Sequence, residues 1–163
     1  MYVPISQVTP VRVGGDTPEG VLLSYRATDP MMVITQWGDK AHLIHLDGRA
    51  AFTHFTIGPG MSVRGMVISE AEFIVDVTSR YDAVQSSDPI GALVLKGGTL
   101  FIIATKAGET FGDAHEVPLW GEYESGTEHE AVGFERWSIV VRDGKDRRTL
   151  WPQPTEDGHQ ASA

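Results

Sequence analysis

The chain has 163 residues, no cysteine and a formal net charge of -9, with an isoelectric point near 5.0. That length suits one ordinary domain, which buries roughly 70% of the surface its unfolded chain exposes. The lack of cysteine excludes disulfides, thiolate zinc sites, iron-sulfur clusters and thiol nucleophiles. The negative charge opposes nonspecific binding to nucleic acid and anionic membranes, so neither is an expected partner.

The opening "MYVPISQVTPVRVGG" has no basic region followed by an apolar one, and so does not read as a signal peptide. No apolar run approaches the roughly 20 residues of a membrane span. The expectation is a soluble, cytoplasmic protein. Arginine outnumbers lysine nine to four, which through the genetic code suggests a high-GC bacterial or phage source.

In chain order, "VLLSYRA" (21–27) and "MMVITQW" (31–37) flank Asp29-Pro30 and read as a first strand pair. "VRGMVISEAEFIVDVT" (63–78) alternates, with Val63, Val67, Ala71, Phe73, Val75 and Val77 on the core side. Sixteen extended residues would run roughly 53 Å, against a radius of gyration of about 15 Å. The segment must therefore bend, and Ser69-Glu70-Ala71 is the expected place.

"GALVLKGGTLFIIAT" (91–105) reads as a hairpin with Gly97-Gly98 as its loop. That register pairs Leu95 with Leu100, Val94 with Phe101 and Leu93 with Ile102. Both faces are apolar, so the hairpin either lies inside a covered sheet or offers Val94, Phe101 and Ile103 to a partner. "FERWSIVVRDGKDRRTLW" (134–151) reads as a last hairpin turning around Asp143-Gly144. The tail 153–163 has little to bury and is expected to be disordered. No stretch sustains a helical period. The expected fold is one mainly β domain over 1–152, an antiparallel β-sandwich or β-barrel with little helix.

"HLIHLDGRAAFTHF" (42–55) holds three of the six histidines. With Asp47-Gly48 as a two-residue loop, His45 pairs with Ala50 and Ala41 with His54. His45 and His54 then share a face and His42 takes the other. His45 and His54 would stand about 13 Å apart, whereas zinc nitrogens lie roughly 3 to 4 Å from each other. "DGRAAFTHF" could alternatively make two helical turns.

Eight acids and no basic residue lie between Glu109 and Glu135. In "HEVPLWGEYESGTEHE" (115–130), His115, Glu116, Glu122, Glu124, Glu128 and His129 are ligand types for a His/carboxylate metal, but the spacing matches no known signature. No metal is favoured, with His115, Glu116, His129, His45 and His54 as minor candidates. No cofactor and no catalytic residue is assigned. The acidic stretch reads first as a solvated loop.

"RDGKDRR" carries Arg142, Lys145, Arg147 and Arg148 beside Trp137 and Trp151. Basic side chains interleaved with aromatics could grip a single-stranded nucleic acid, but the favoured reading is a charged tip that keeps the turn soluble or neutralises the acidic loop; opposite signs in neighbouring segments also suit head-to-tail association. Trp37, Trp120, Trp137 and Trp151, with Tyr25 and Tyr123, could supply a sugar platform or simply fill the core. There is no GxSxG elbow and no phosphate-binding GxxxxGK[ST] loop. "LSYRATDPMMVITQW" (23–37) resembles the start of the SsgA-like actinobacterial cell-division proteins; the rest of the chain departs from them and no functional residue is carried over.

The leading expectation is a non-enzymatic interaction or structural module working through protein contacts with a partner or itself. The alternatives are a metal-dependent β-barrel enzyme and an aromatic-platform carbohydrate binder.

Overall fold

The computed structural model describes residues 8–13, 20–24, 31–37, 40–58, 61–68, 70–83, 88–108, 114–120 and 130–152. Among them the strands are β1 (Val8–Val13), β2 (Gly20–Ser24), β3 (Met32–Trp37), β4 (Lys40–His45), β5 (Thr53–Thr56), β6 (Val63–Ile68) and β7 (Glu72–Val75). After a 3-10 turn at Val77–Ser79 come β8 (Arg80–Asp82), β9 (Leu93–Lys96), β10 (Thr99–Lys106), β11 (His115–Trp120), β12 (Ala131–Phe134), β13 (Trp137–Asp143) and β14 (Asp146–Trp151). The protein is mainly β, as its alternating apolar runs predict.

One large sheet runs in the order β1-β6-β2-β3-β4-β5-β10-β9-β12-β8, with β11 also paired to β10; a small sheet runs β14-β13-β7. Every ladder is antiparallel except that joining β5 to β10. Pro10, which cannot donate to a ladder, sits in β1 at the end of the sheet order.

The main core collects Val21, Val33, Ile44 and Ile68 from one half of the large sheet and Leu93, Ile102, Val117 and Leu119 from the other. Ile139, Val141 and Leu150 of the small sheet complete it. A second cluster lies on the opposite face of β3 and β4, around Ile34, Leu43 and Val67. A third, of Ala92, Val94, Phe101 and Ile103, lies on the opposite face of β9 and β10. Strands apolar on both faces are thus buried on both.

β2 and β3 pair as expected, Val21 opposite Val33, although the connection 25–30 lies outside the described residues. The bend near 69–71 is found: β6 belongs to the large sheet and β7 to the small one. Ala71, Phe73 and Val75 keep the core side, but β7 ends at Val75 and Val77, in the 3-10 turn that follows, is 65% exposed. The last hairpin has Asp143 opposite Asp146, so Gly144-Lys145 forms its loop, one residue later than expected. Residues 115–120, expected within an acidic loop, form β11. Residues 121–129 and 153–163, with His129, Glu122, Glu124, Glu128 and the tail, lie outside the described residues.

The chain passes between the sheets again where β12 leads into β13, beside the β7–β8 corner. Arg136 Nε donates to Asp76 Oδ2 at 2.9 Å, while Asp76 Oδ1 accepts from Thr78 N and Thr78 Oγ1. The Thr78 hydrogen bonds, with help from Arg136, hold the Asp76 carboxyl down at about 2.

Candidate functional site

β4 and β5 pair His42 with Thr56, Leu43 with Phe55 and Ile44 with His54. Each pair sums to 98, three more than the Asp47-Gly48 hairpin requires. An odd shift exchanges the faces of one strand relative to the other. His42 and His54 therefore share the main-core side with Ile44, while His45 turns to the other side and meets Phe55 edge-on at 5.5 Å. This overturns the sequence-based separation of His42 from His54.

Tertiary contacts explain the shift. Leu46 stays hydrogen-bonded to the residue before β3, its N donating to Met31 O, and Asp47 Oδ1 accepts from Met31 N at 3.1 Å. The chain then coils through turns at 49–52 before β5 begins. Phe52, at φ 57, enters an aromatic group with Trp137 and Trp151, at 6.4 and 6.0 Å between ring centroids. The helical-turn reading of "DGRAAFTHF" was the signal in the sequence closest to this connection.

The result is a row of imidazoles. His42 and His54 have ring centroids 6.0 Å apart, and His54 stands edge-on to His115 of β11 at 5.9 Å. His42 and His54 are buried, 7% and 6% exposed, and His115 is exposed. Thr56 Oγ1 lies 3.3 Å from His42 Nδ1. Burial, and then the charge of Lys40, lowers the His42 pKa; burial lowers that of His45 against the opposing pull of Asp47.

Of the sequence-derived ligand candidates, His54 and His115 meet. His45 does not join them, and Glu116 lies 3.6 Å from the Lys96 ammonium in an ion pair. Among the described residues no three His, Asp or Glu side chains are arranged to hold a metal ion.

The apolar candidates face inward. Val94, Phe101 and Ile103 are 0%, 2% and 1% exposed, packed with Tyr81, Ala83, Ala114 and Ala131 of the same chain. Their burial agrees with the covered-sheet reading of the hairpin. Tyr81 lies directly over Gly133, where a Cβ would meet its ring, and burial followed by Asp88 and Glu135 pushes its phenol up to about 12.

Trp137 and Trp151 do come together, at 4.4 Å between centroids, but Phe73 stacks on Trp137 at 5.5 Å and Trp137 Nε1 donates to Gly91 O. Their faces are engaged in packing between the sheets. The side chains of Trp37, Trp120, Tyr25 and Tyr123 lie outside what the structure describes.

The basic candidates stay outside. Arg142, Lys145, Arg147 and Arg148 are all exposed on the β13–β14 hairpin. Arg142 Nε donates to Glu72 Oε1 at 2.6 Å, and Arg147 approaches Glu72 Oε2 at 3.6 Å. The acid neutralised here is thus Glu72 of β7. A depression of about 510 Å³ lined by Ala71, Glu72, Phe73, Ile74 and Arg142 adjoins this group. Among the described residues no helix is long and apolar enough to cross a membrane.

A protein of Sinorhizobium fredii (strain NBRC 101917 / NGR234), "Uncharacterized protein y4lG", is 26% identical over 152 residues, covering 93% of each chain. No solved structure matches. The model of the family described as "Uncharacterised protein y4lG" matches residues 17–161, and the chain belongs to that family.

Proposed function

We propose that the chain is a non-enzymatic module that works through protein contacts, and that the β13–β14 hairpin is its contact surface. The observation that carries this reading is the concentration of four exposed basic side chains on one hairpin of a chain with net charge -9. Its outer strand, β14, pairs on one side only among the described residues. An edge strand offers backbone donors and acceptors to an incoming segment, and flanking charge selects the sign of that segment. Exposed Ile74 beside Arg142 adds an apolar contact at the same face.

The partner this surface fits is an acidic protein segment, supplied by another protein or by a second copy. The same reading puts the work of the module in the cytoplasm; cell fractionation that recovers the chain with membrane or periplasmic markers overturns that part.

A photo-crosslinking residue at Lys145 or Arg147 is expected to trap a protein in cells, whereas one at exposed Val77 is not. Charge reversal of Lys145, Arg147 and Arg148 together should abolish the trapped species. Equal trapping at Val77, or none at the hairpin, overturns the proposal.

A further inference from the structure

The far end of the large sheet carries a second surface depression. Across β8, β12 and β9 the register sets Asp82, Val132 and Leu95 opposite one another, so their side chains share one face. With Glu130 and the Gly97-Gly98 turn they line a depression of about 690 Å³. Leu93, two residues from Leu95 on the same face, is fully buried in the main core, whereas Leu95 is 42% exposed. The cover over this face therefore stops between them, and apolar surface is left in the open.

The rim of the depression is acidic. Asp82 and Glu130 are both exposed, and Glu130 belongs to the stretch 109–135 that holds eight acids and no basic residue. The nearest cations are accounted for: Lys96 reaches Glu116 at 3.6 Å, and Arg80 stands one row away, opposite Phe134. An apolar floor under an acidic rim fits a lysine or arginine side chain, whose methylene stem covers the floor while its charged head stays at the rim. The chain itself presents such side chains, Lys145 and Arg147, exposed on the β13–β14 hairpin. That hairpin is net positive, with four basic residues against Asp143 and Asp146.

We propose that this depression receives the Lys145 and Arg147 side chains of a second copy, so that copies join head to tail. The inference rests on the hairpin being the contact surface and names what it meets, the acidic face of the same protein. Hairpin and depression share no residue, so each copy can give its own hairpin and accept another's, which makes the contact heterologous. Both lie where a sheet ends, β14 closing the order of the small sheet and β8 that of the large one.

Sedimentation velocity of the purified full chain is the test. The parent chain should self-associate, and the association should weaken as salt rises from about 0.1 M to about 1 M, because the screening length falls from roughly 10 Å to about 3 Å. Lys145→Gln with Arg147→Gln, or Asp82→Asn with Glu130→Gln, should each weaken it about tenfold. All four side chains are exposed, so neither double variant disturbs the core. Mixed in equal amounts, the two variants should form pairs and go no further, since the intact depression of the first takes the intact hairpin of the second. A parent chain that stays monomeric, a double variant that associates as the parent does, or a mixture that fails to pair overturns the inference. Trapping of a different protein at Lys145 by a monomeric chain overturns it too, while leaving the hairpin's role as a contact surface in place.

Discussion

Two hairpin signals of the same kind end in different structures. Gly97-Gly98 makes the two-residue loop its dipeptide predicts, with φ of 56 and 83, and Leu95 pairs with Leu100 as expected. Asp47-Gly48 does not close a hairpin; the connection runs on until β5 starts at Thr53. The flanking residues make the difference. The residues beside Gly97-Gly98 fill both faces of the sheet in the register the turn dictates, so local and tertiary preferences agree. Beside Asp47-Gly48, Leu46 and Asp47 are held by Met31 and Phe52 is drawn toward Trp137 and Trp151, so tertiary contacts override a good turn.

Phe52 joins the two regions, because a Cβ at Gly91 would stand 2.5 Å from the Phe52 ring and Gly91 has φ 88. Gly91→Ala combines overpacking with left-handed backbone strain and should cost about 3 kcal/mol in urea unfolding. In a Phe52→Ala background the same change should cost only about 1 kcal/mol, the backbone share. Equal costs in both backgrounds would mean that Phe52 does not bind the two regions together.

Effects of middle size compare the loops directly. Gly98→Ala and Gly48→Ala meet nothing within 4 Å and carry φ of 83 and 75, so each should cost about 1 kcal/mol from backbone alone. Asp47→Ala should cost a further amount of about 1 kcal/mol by removing the acceptor for Met31 N. A neutral Asp47→Ala would return the long connection to some other cause.

The smallest effect is in pH dependence. The pKa values of His42 and His45 are lowered on folding, so the unfolded chain binds more protons below about 6.5 and stability falls with pH there. His45→Gln should lessen that fall in urea midpoints. An unchanged fall would mean that burial of His45 carries none of it.

The hairpin of 91–105, the first strand pair, the bend near 69–71 and the exposed basic tip were legible from the sequence because each rests on neighbours a few residues apart. Pleat alternation and turn chemistry are local. The register of β5 and the strand at 115–120 were not, since each depends on surfaces brought together from distant segments. The imidazole row is of this second kind. Composition and alternation determined a cysteine-free, mainly β chain with two-faced apolar strands. Only tertiary packing decided which faces are interior and which histidines meet, because a shift of three residues costs little in local geometry but exchanges the buried face of a strand.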